Sequence, residues 1–187
     1  MRGGAVMKWL QSSTGRSAAV SLGFMALMIV GIGATSCIGE GENEAFGCPN
    51  KDVFVQNVSP FLERRCGTLD CHGQPTRPMR IYGQLGLRHP AETNVSGGAP
   101  TTQAELDANY AAVCYLDPEA MKDSADKIGA SADKLLLVTK MRGLERHKGG
   151  QAVKEQSPGD RCVLNWLKFK SDTDVQPACT EAVNQLK

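Results

Sequence analysis

Apolar side chains recur at helical spacing in separate stretches of this chain, divided by loops rich in glycine and proline. Phe54, Val58, Phe61 and Leu62 lie four, three and one residues apart, on one face of a helix predicted from Lys51 to about Arg65 with Asn50 as its N-cap. Pro60 falls inside this run and is expected to kink it, because proline lacks a backbone donor. Thr102 followed by Glu105 reads as a capping box, and Leu106, Tyr110, Val113 and Cys114 trace a second helix ending near Leu116, before Asp117-Pro118. A short third helix should run through Met121 and Asp126. Ser131 is placed to cap a fourth, Ala132 to about Arg142, and Gly143 to end it. Asp160 reads as the cap of the last clear helix, with Val163, Leu164, Trp166, Leu167 and Phe169.

Two stretches lack a period. Gly73 to Pro100 holds four prolines and several glycines, and reads as a long loop with a short extended piece at Arg80-Ile81-Tyr82; a loop of this length usually wraps something. Beyond Lys170 the tail is polar with one cysteine, Cys179. The fold expected is mainly α, with no internal repeat.

The N-terminus has a different pattern. Arg2, Lys8 and Arg16 precede an uncharged, mostly apolar run from Ala18 to Gly33, then small residues and Cys37. This is the layout of an export signal, and a run of 16 residues is short for a bilayer span. The ATSC segment, Ala34 to Cys37, resembles a bacterial lipobox, which implies residues 1–36 as a signal peptide and a lipid on Cys37. Cleavage after Ser36 without a lipid and an uncleaved anchor are the other two readings. All three put the folded part outside the cytoplasm. Residues 37–49, rich in glycine and glutamate, read as a tether, leaving residues 50–187 as one helical domain.

Charge excludes one class of partner. Removing three of the 21 basic residues with the leader, against 20 acidic ones, turns a net of +1 into −2, and no basic stripe tracks a phosphate backbone. Nucleic-acid binding is not expected. Aromatics make up only 5% of the chain, so a cofactor or disulfides would have to supplement the core. Outside the cytoplasm thiols can pair, and six cysteines remain besides Cys37: Cys48, Cys66, Cys71, Cys114, Cys162 and Cys179.

The predicted first helix leads directly into CGTLDCH, Cys66 to His72. Two cysteines with a histidine directly after the second suit covalent haem attachment: both thiols add to haem vinyl groups and the histidine binds iron. The spacer here is four residues, and Gly67 could let the loop bulge. Two other readings stay open. Cys66, Cys71 and His72 with His147 could ligate zinc, or Cys66 and Cys71 could form disulfides beside an ordinary histidine.

With its surroundings, the segment resembles a family of exported bacterial cytochrome c-like domains, over roughly Val53 to Phe169. The resemblance rests on VSPFLERRC (Val58 to Cys66), CGTLDCHG, a leucine-rich stretch ending in His147-Lys148-Gly149-Gly150, and a terminal helix with Asn165-Trp166-Leu167. It implies a haem c on Cys66 and Cys71 with His72 as proximal iron ligand. It also implies that the first and last helices pack together through Phe54, Phe61, Trp166 and Phe169. His147, or alternatively Met141, would be the second ligand; a solvated loop histidine and a core methionine are the plainer readings. Arg64, Arg65, Arg77, Arg80 and Arg88, and also Arg142, Arg146 and Lys148, could face haem propionates or form solvated basic faces. His89 is expected at the surface. If haem takes two cysteines, the pairing favoured for the rest is Cys114 with Cys162 and Cys48 with Cys179, each joining distant segments.

No nucleophile, base and orienting group can be assembled, and no phosphate loop follows a strand, so catalysis is not expected. The function read from the sequence is a lipid-anchored, exported electron-transfer protein that docks transiently on redox partner proteins. The alternative is a haem-free, disulfide-braced lipoprotein with a structural or binding role.

Overall fold

A computed structural model describes residues 47–89 and 97–186, all within one compact unit. The predicted signal peptide and Cys37 lie outside these residues. The described chain is mainly helical: α1 (Lys51–Val53), α2 (Ser59–Arg65), α3 (Gln103–Cys114), α4 (Pro118–Asp126), α5 (Leu136–Met141), α6 (Pro158–Leu167) and α7 (Asp172–Asn184). Among the described residues there is no strand, only an isolated bridge between Tyr82 and Leu87. None of the described helices is long and apolar enough to cross a membrane.

The first helical stretch is continuous but not uniform. Asn50 caps it, its side chain accepting from the Val53 N–H at 3.0 Å. Between α1 and α2 the chain widens into a π-helix, Phe54–Val58. The wide turn comes just before Pro60, which cannot donate and whose ring would crowd the carbonyl four residues back in a regular helix. Pro60 is therefore accommodated by a widened turn. Phe54, Val58, Phe61 and Leu62 are all buried, as their spacing predicts.

This stretch packs on α6. The Phe54 ring lies 5.0 Å from that of Trp166 and 5.5 Å from that of Tyr110 on α3, so three elements meet at one aromatic cluster. The polar tips are satisfied on the chain entering α1: Tyr110 Oη donates to Pro49 O at 3.0 Å and Trp166 Nε1 to Asn50 O at 2.9 Å. Phe61 packs so closely on Gly159 that a Cβ there would meet its ring at 2.5 Å. Phe169, expected in the same contact, lies past the end of α6 at φ 57° and is exposed.

The tail is helical. Val175, Ala178, Cys179 and Ala182 of α7 are buried at i, i+3, i+4 and i+7, and α6 and α7 form a hairpin. It is braced by the Cys162–Cys179 disulfide, while Cys48–Cys114 ties the segment before α1 to α3. These pairings replace the expected Cys114–Cys162 and Cys48–Cys179. Cys114 and Cys162 sit on different helices, and each finds its partner on the element packed beside it.

The helix ends bear out one further expectation and correct three others. The α3 capping box is present in full: the Glu105 N–H donates to Thr102 Oγ1 and the Thr102 N–H to Glu105 Oε2. α6 is capped by Ser157, with Asp160 inside its first turn. The expected fourth helix is divided into a 3-10 turn, Ala132–Lys134, and α5, and Ser131 makes no side-chain cap.

Candidate functional site

The segment from Cys66 to His72 begins where α2 ends. The Cys66 and Gly67 N–H groups both bond to Leu62 O, so helical bonding persists one step past the helix. The chain then folds back on itself: Cys71 N–H and Gly73 N–H donate to Thr68 O, and His72 N–H donates to Cys66 O at 2.8 Å. The four-residue spacer is thus a closed turn that returns His72 beside Cys66. The loop packs against itself at glycines, since a Cβ on Gly73 would lie 2.0 Å from Gly67 O and one on Gly86 1.9 Å from the same atom.

Cys66 and Cys71 are free thiols, unlike the four cysteines held in disulfides. The alternative reading in which they join in disulfides is not the arrangement found. Burial pushes the Cys66 thiol up to about 12, further than the nearby Arg65 guanidinium lowers it, so it stays protonated at neutral pH.

Both thiols line a cleft of about 290 Å³. His72, His147 and Met141 line the same cleft, with Pro78, Met79, Leu116, Leu136 and Leu137 among its mainly apolar walls. Arg65 and Lys140 also line it; Arg65 Nε donates to Ala152 O at 2.7 Å and Lys140 Nζ to Arg146 O at 2.8 Å.

The two histidine rings are nearly parallel, 12° apart, with centroids 6.0 Å from each other. Nδ1 of His72 lies 2.9 Å from Met79 O, and Nδ1 of His147 lies 3.0 Å from Gly150 O. A carbonyl can only accept, so each Nδ1 carries the hydrogen and each Nε2 remains the ring's lone-pair donor. Metal-ligating histidines are held this way, by a carbonyl on the other ring nitrogen.

These residues fit a haem c: two unpaired thiols, two imidazoles with free Nε2 atoms, and an apolar cleft lined by all four. They do not fit a site made by protein ligands alone, since among the described residues no three His, Cys, Asp or Glu side chains come together to hold a metal ion. The zinc reading is left without its cluster.

Several basic residues are placed otherwise than the propionate reading requires. Arg88 is fully buried, forked onto Glu105 at 2.7 and 3.0 Å. Arg142 is buried on Asp160 in the same way, and its hydrogen bonds to that carboxylate raise its pKa. Arg77 bonds Cys71 O and Arg80 bonds Pro75 O, both tying the loop to itself. Arg64, Arg146 and Lys148 are exposed. His89 is half-buried rather than at the surface, its ring 5.7 Å from that of Tyr82.

The sequence reading missed Met79, whose carbonyl orients His72. Every residue carries a carbonyl, so no sequence signal marks it. It also missed Glu63, one turn before Cys66, which accepts from Ser59 Oγ at 2.8 Å and Thr101 Oγ1 at 2.6 Å. Burial raises its pKa despite both hydrogen bonds. No family model, curated protein or solved structure matches the chain.

Proposed function

We propose that this chain is an exported, lipid-anchored electron carrier that holds haem c covalently through Cys66 and Cys71. His72 and His147 are its iron ligands, and transient docking on partner proteins delivers and removes electrons. Haem supplies the one-electron chemistry when bound. The chain's own residues hold it, orient its ligands and limit water. Met79 O and Gly150 O fix the tautomers of the two imidazoles, and the apolar cleft walls provide the low-dielectric surroundings that tune a reduction potential. Met141 lines the same cleft and is the alternative ligand.

One observation carries the reading: the only two unpaired thiols among the described residues line one cleft with two near-parallel imidazoles, each held at Nδ1 by a carbonyl. The competing reading, a haem-free disulfide-braced lipoprotein, draws support from the Cys48–Cys114 and Cys162–Cys179 bridges.

The test is expression with a signal for export in a host with cytochrome c maturation, followed by haem staining of a denaturing gel. A covalent haem band that is lost in Cys66→Ala/Cys71→Ala supports the electron carrier. No band, with both thiols intact by mass or joined to each other, decides for the haem-free protein. Labelling with a radioactive fatty acid, lost in Cys37→Ala, tests the anchor.

A further inference from the structure

The two imidazoles are tied down unequally. His72 is fixed on three sides: its N–H bonds Cys66 O, its carbonyl accepts from the Ile81 N–H at 3.0 Å, and Nδ1 bonds Met79 O. Ile81 and Met79 are themselves buried, and Cys71 precedes the histidine directly. Moving His72 would unpick the loop.

His147 has no such anchorage. Its ring bonds Gly150 O, and the Gly150 N–H bonds His147 O at 2.9 Å, so both contacts close within one four-residue turn. Residues 143–146 and 148–150 are exposed. Gly150 ends the turn at φ 66°, a conformation glycine adopts without steric cost. Up to Glu145 the chain is still fastened to α5, the Leu144 and Glu145 N–H groups donating to Thr139 O at 2.9 and 3.4 Å; from Arg146 on, what pins the turn is Lys140, through Arg146 O and an exposed ion pair with Glu145 at 3.1 Å. Beyond the turn, Ala152 and Val153 are fastened by N–H bonds to Met141 O. Residues 146–151 can therefore swing outward as a unit while α5, the chain up to Glu145 and the chain from Ala152 stay in place.

We propose that His147 is a displaceable ligand, and that the face of the site it covers binds small uncharged ligands of ferrous iron, of the class of carbon monoxide and nitric oxide. This rests on the haem reading above. The class follows from the walls: Met79, Leu116, Leu136, Leu137 and Met141 offer a charged ligand no partner, the Lys140 ammonium is engaged by Arg146 O and Glu145, and Arg65, the other cation lining the cleft, is bonded through Nε to Ala152 O. His72 stays bound throughout, so the protein changes between two imidazole ligands and one.

The test uses the haem-loaded protein, first verified by haem stain, reduced without oxygen and mixed with carbon monoxide in a stopped-flow absorbance instrument. The expected rate rises with carbon monoxide concentration and then levels off, the plateau being the rate at which His147 leaves. Lys140→Ala should raise that plateau about two- to fivefold, the worth of an exposed ion pair. His147→Ala should remove the plateau and leave a rate linear in carbon monoxide. Two results would overturn the proposal: a wild-type spectrum unchanged after hours while His147→Ala reacts, which makes the ligation rigid, or a wild-type rate linear and equal to that of His147→Ala. Absence of covalent haem, seen on the gel before any gas is added, overturns the electron-carrier reading itself and this inference with it.

Discussion

Arg88 and Glu105 meet as a buried fork, Nε to Oε1 at 2.7 Å and Nη2 to Oε2 at 3.0 Å, with neither side chain more than 1% exposed. Glu105 also accepts from the Thr102 and His89 N–H groups, so one carboxylate caps α3 and fastens the end of the long loop to it. Arg88→Met leaves that carboxylate buried without its cation, and should cost about 3–5 kcal/mol in urea unfolding. Arg80→Met, an exposed position on the same loop, should cost less than about 0.5 kcal/mol. Equal losses would show that the fork holds nothing in particular.

The same carboxylate sets part of the acid response. Burial alone would raise the Glu105 pKa, but the Arg88 hydrogen bonds, with the Thr102 and His89 N–H groups, outweigh it and hold it at about 2, below the ordinary 4.5. A depressed folded-state pKa gives stability that is complete above 4.5 and disappears as pH falls toward 2, here about 3 kcal/mol. Urea unfolding at a series of pH values should show this loss in the wild type and a flatter acid limb in Glu105→Gln. Glu63 acts in the opposite sense. Its pKa is raised, so its contribution is complete below 4.5 and declines as pH rises through the folded value. Glu63→Gln should flatten that decline.

Both bridges should carry measurable stability. Chain-entropy arguments give about 4 kcal/mol for Cys48–Cys114, which closes 66 residues, and about 3 kcal/mol for Cys162–Cys179, which closes 17. Paired alanine variants compared by urea unfolding check the two values. Peptide mapping without reductant should find these two linkages; a Cys114–Cys162 peptide would refute the connectivity.

What could be read from the sequence was local. The Asn50 cap, the Thr102–Glu105 box, the Phe54 to Leu62 stripe and the Cys66 to His72 motif each lie within one turn or one run of neighbours. Features that depend on chain return were hidden. Cysteine pairing depends on which helices become neighbours, and Arg88 in a proline-rich loop gives no sign of burial until α3 supplies Glu105. α7 had the right period, but Ala178, Cys179 and Ala182 carry little apolar weight and Pro177 interrupts them. That His147 shares a cleft with His72 follows from packing across 75 positions, which the resemblance could suggest and periodicity could not.

Ligand choice should be visible in the potential. If His147 binds iron, His147→Met in the haem-loaded protein should raise the reduction potential by on the order of 100 mV, since methionine favours the ferrous state more than a second histidine does. Met141→Leu should leave potential and spectrum nearly unchanged. The reverse pattern in a spectroelectrochemical titration would make Met141 the ligand.

The glycines around CGTLDCHG give the last prediction, which does not depend on what fills the cleft. Gly73 and Gly86 both face Gly67 O, and a Cβ on either would come within 2.0 Å of it. The obstacle is backbone on more than one side: the Cβ on Gly86 would also meet Gly73 Cα at 2.9 Å and Gly67 C at 3.0 Å, so turning one carbonyl aside does not make room. Gly86→Ala must therefore push apart the turn that returns His72 to Cys66, and should cost at least about 3 kcal/mol, in the range of severe overpacking. Gly97→Ala is the control. It has nothing within 4 Å, and its φ of 77° leaves only backbone strain of about 1 kcal/mol. Urea unfolding of the two variants checks the difference. A Gly86→Ala protein as stable as Gly97→Ala would mean that the loop does not close as described.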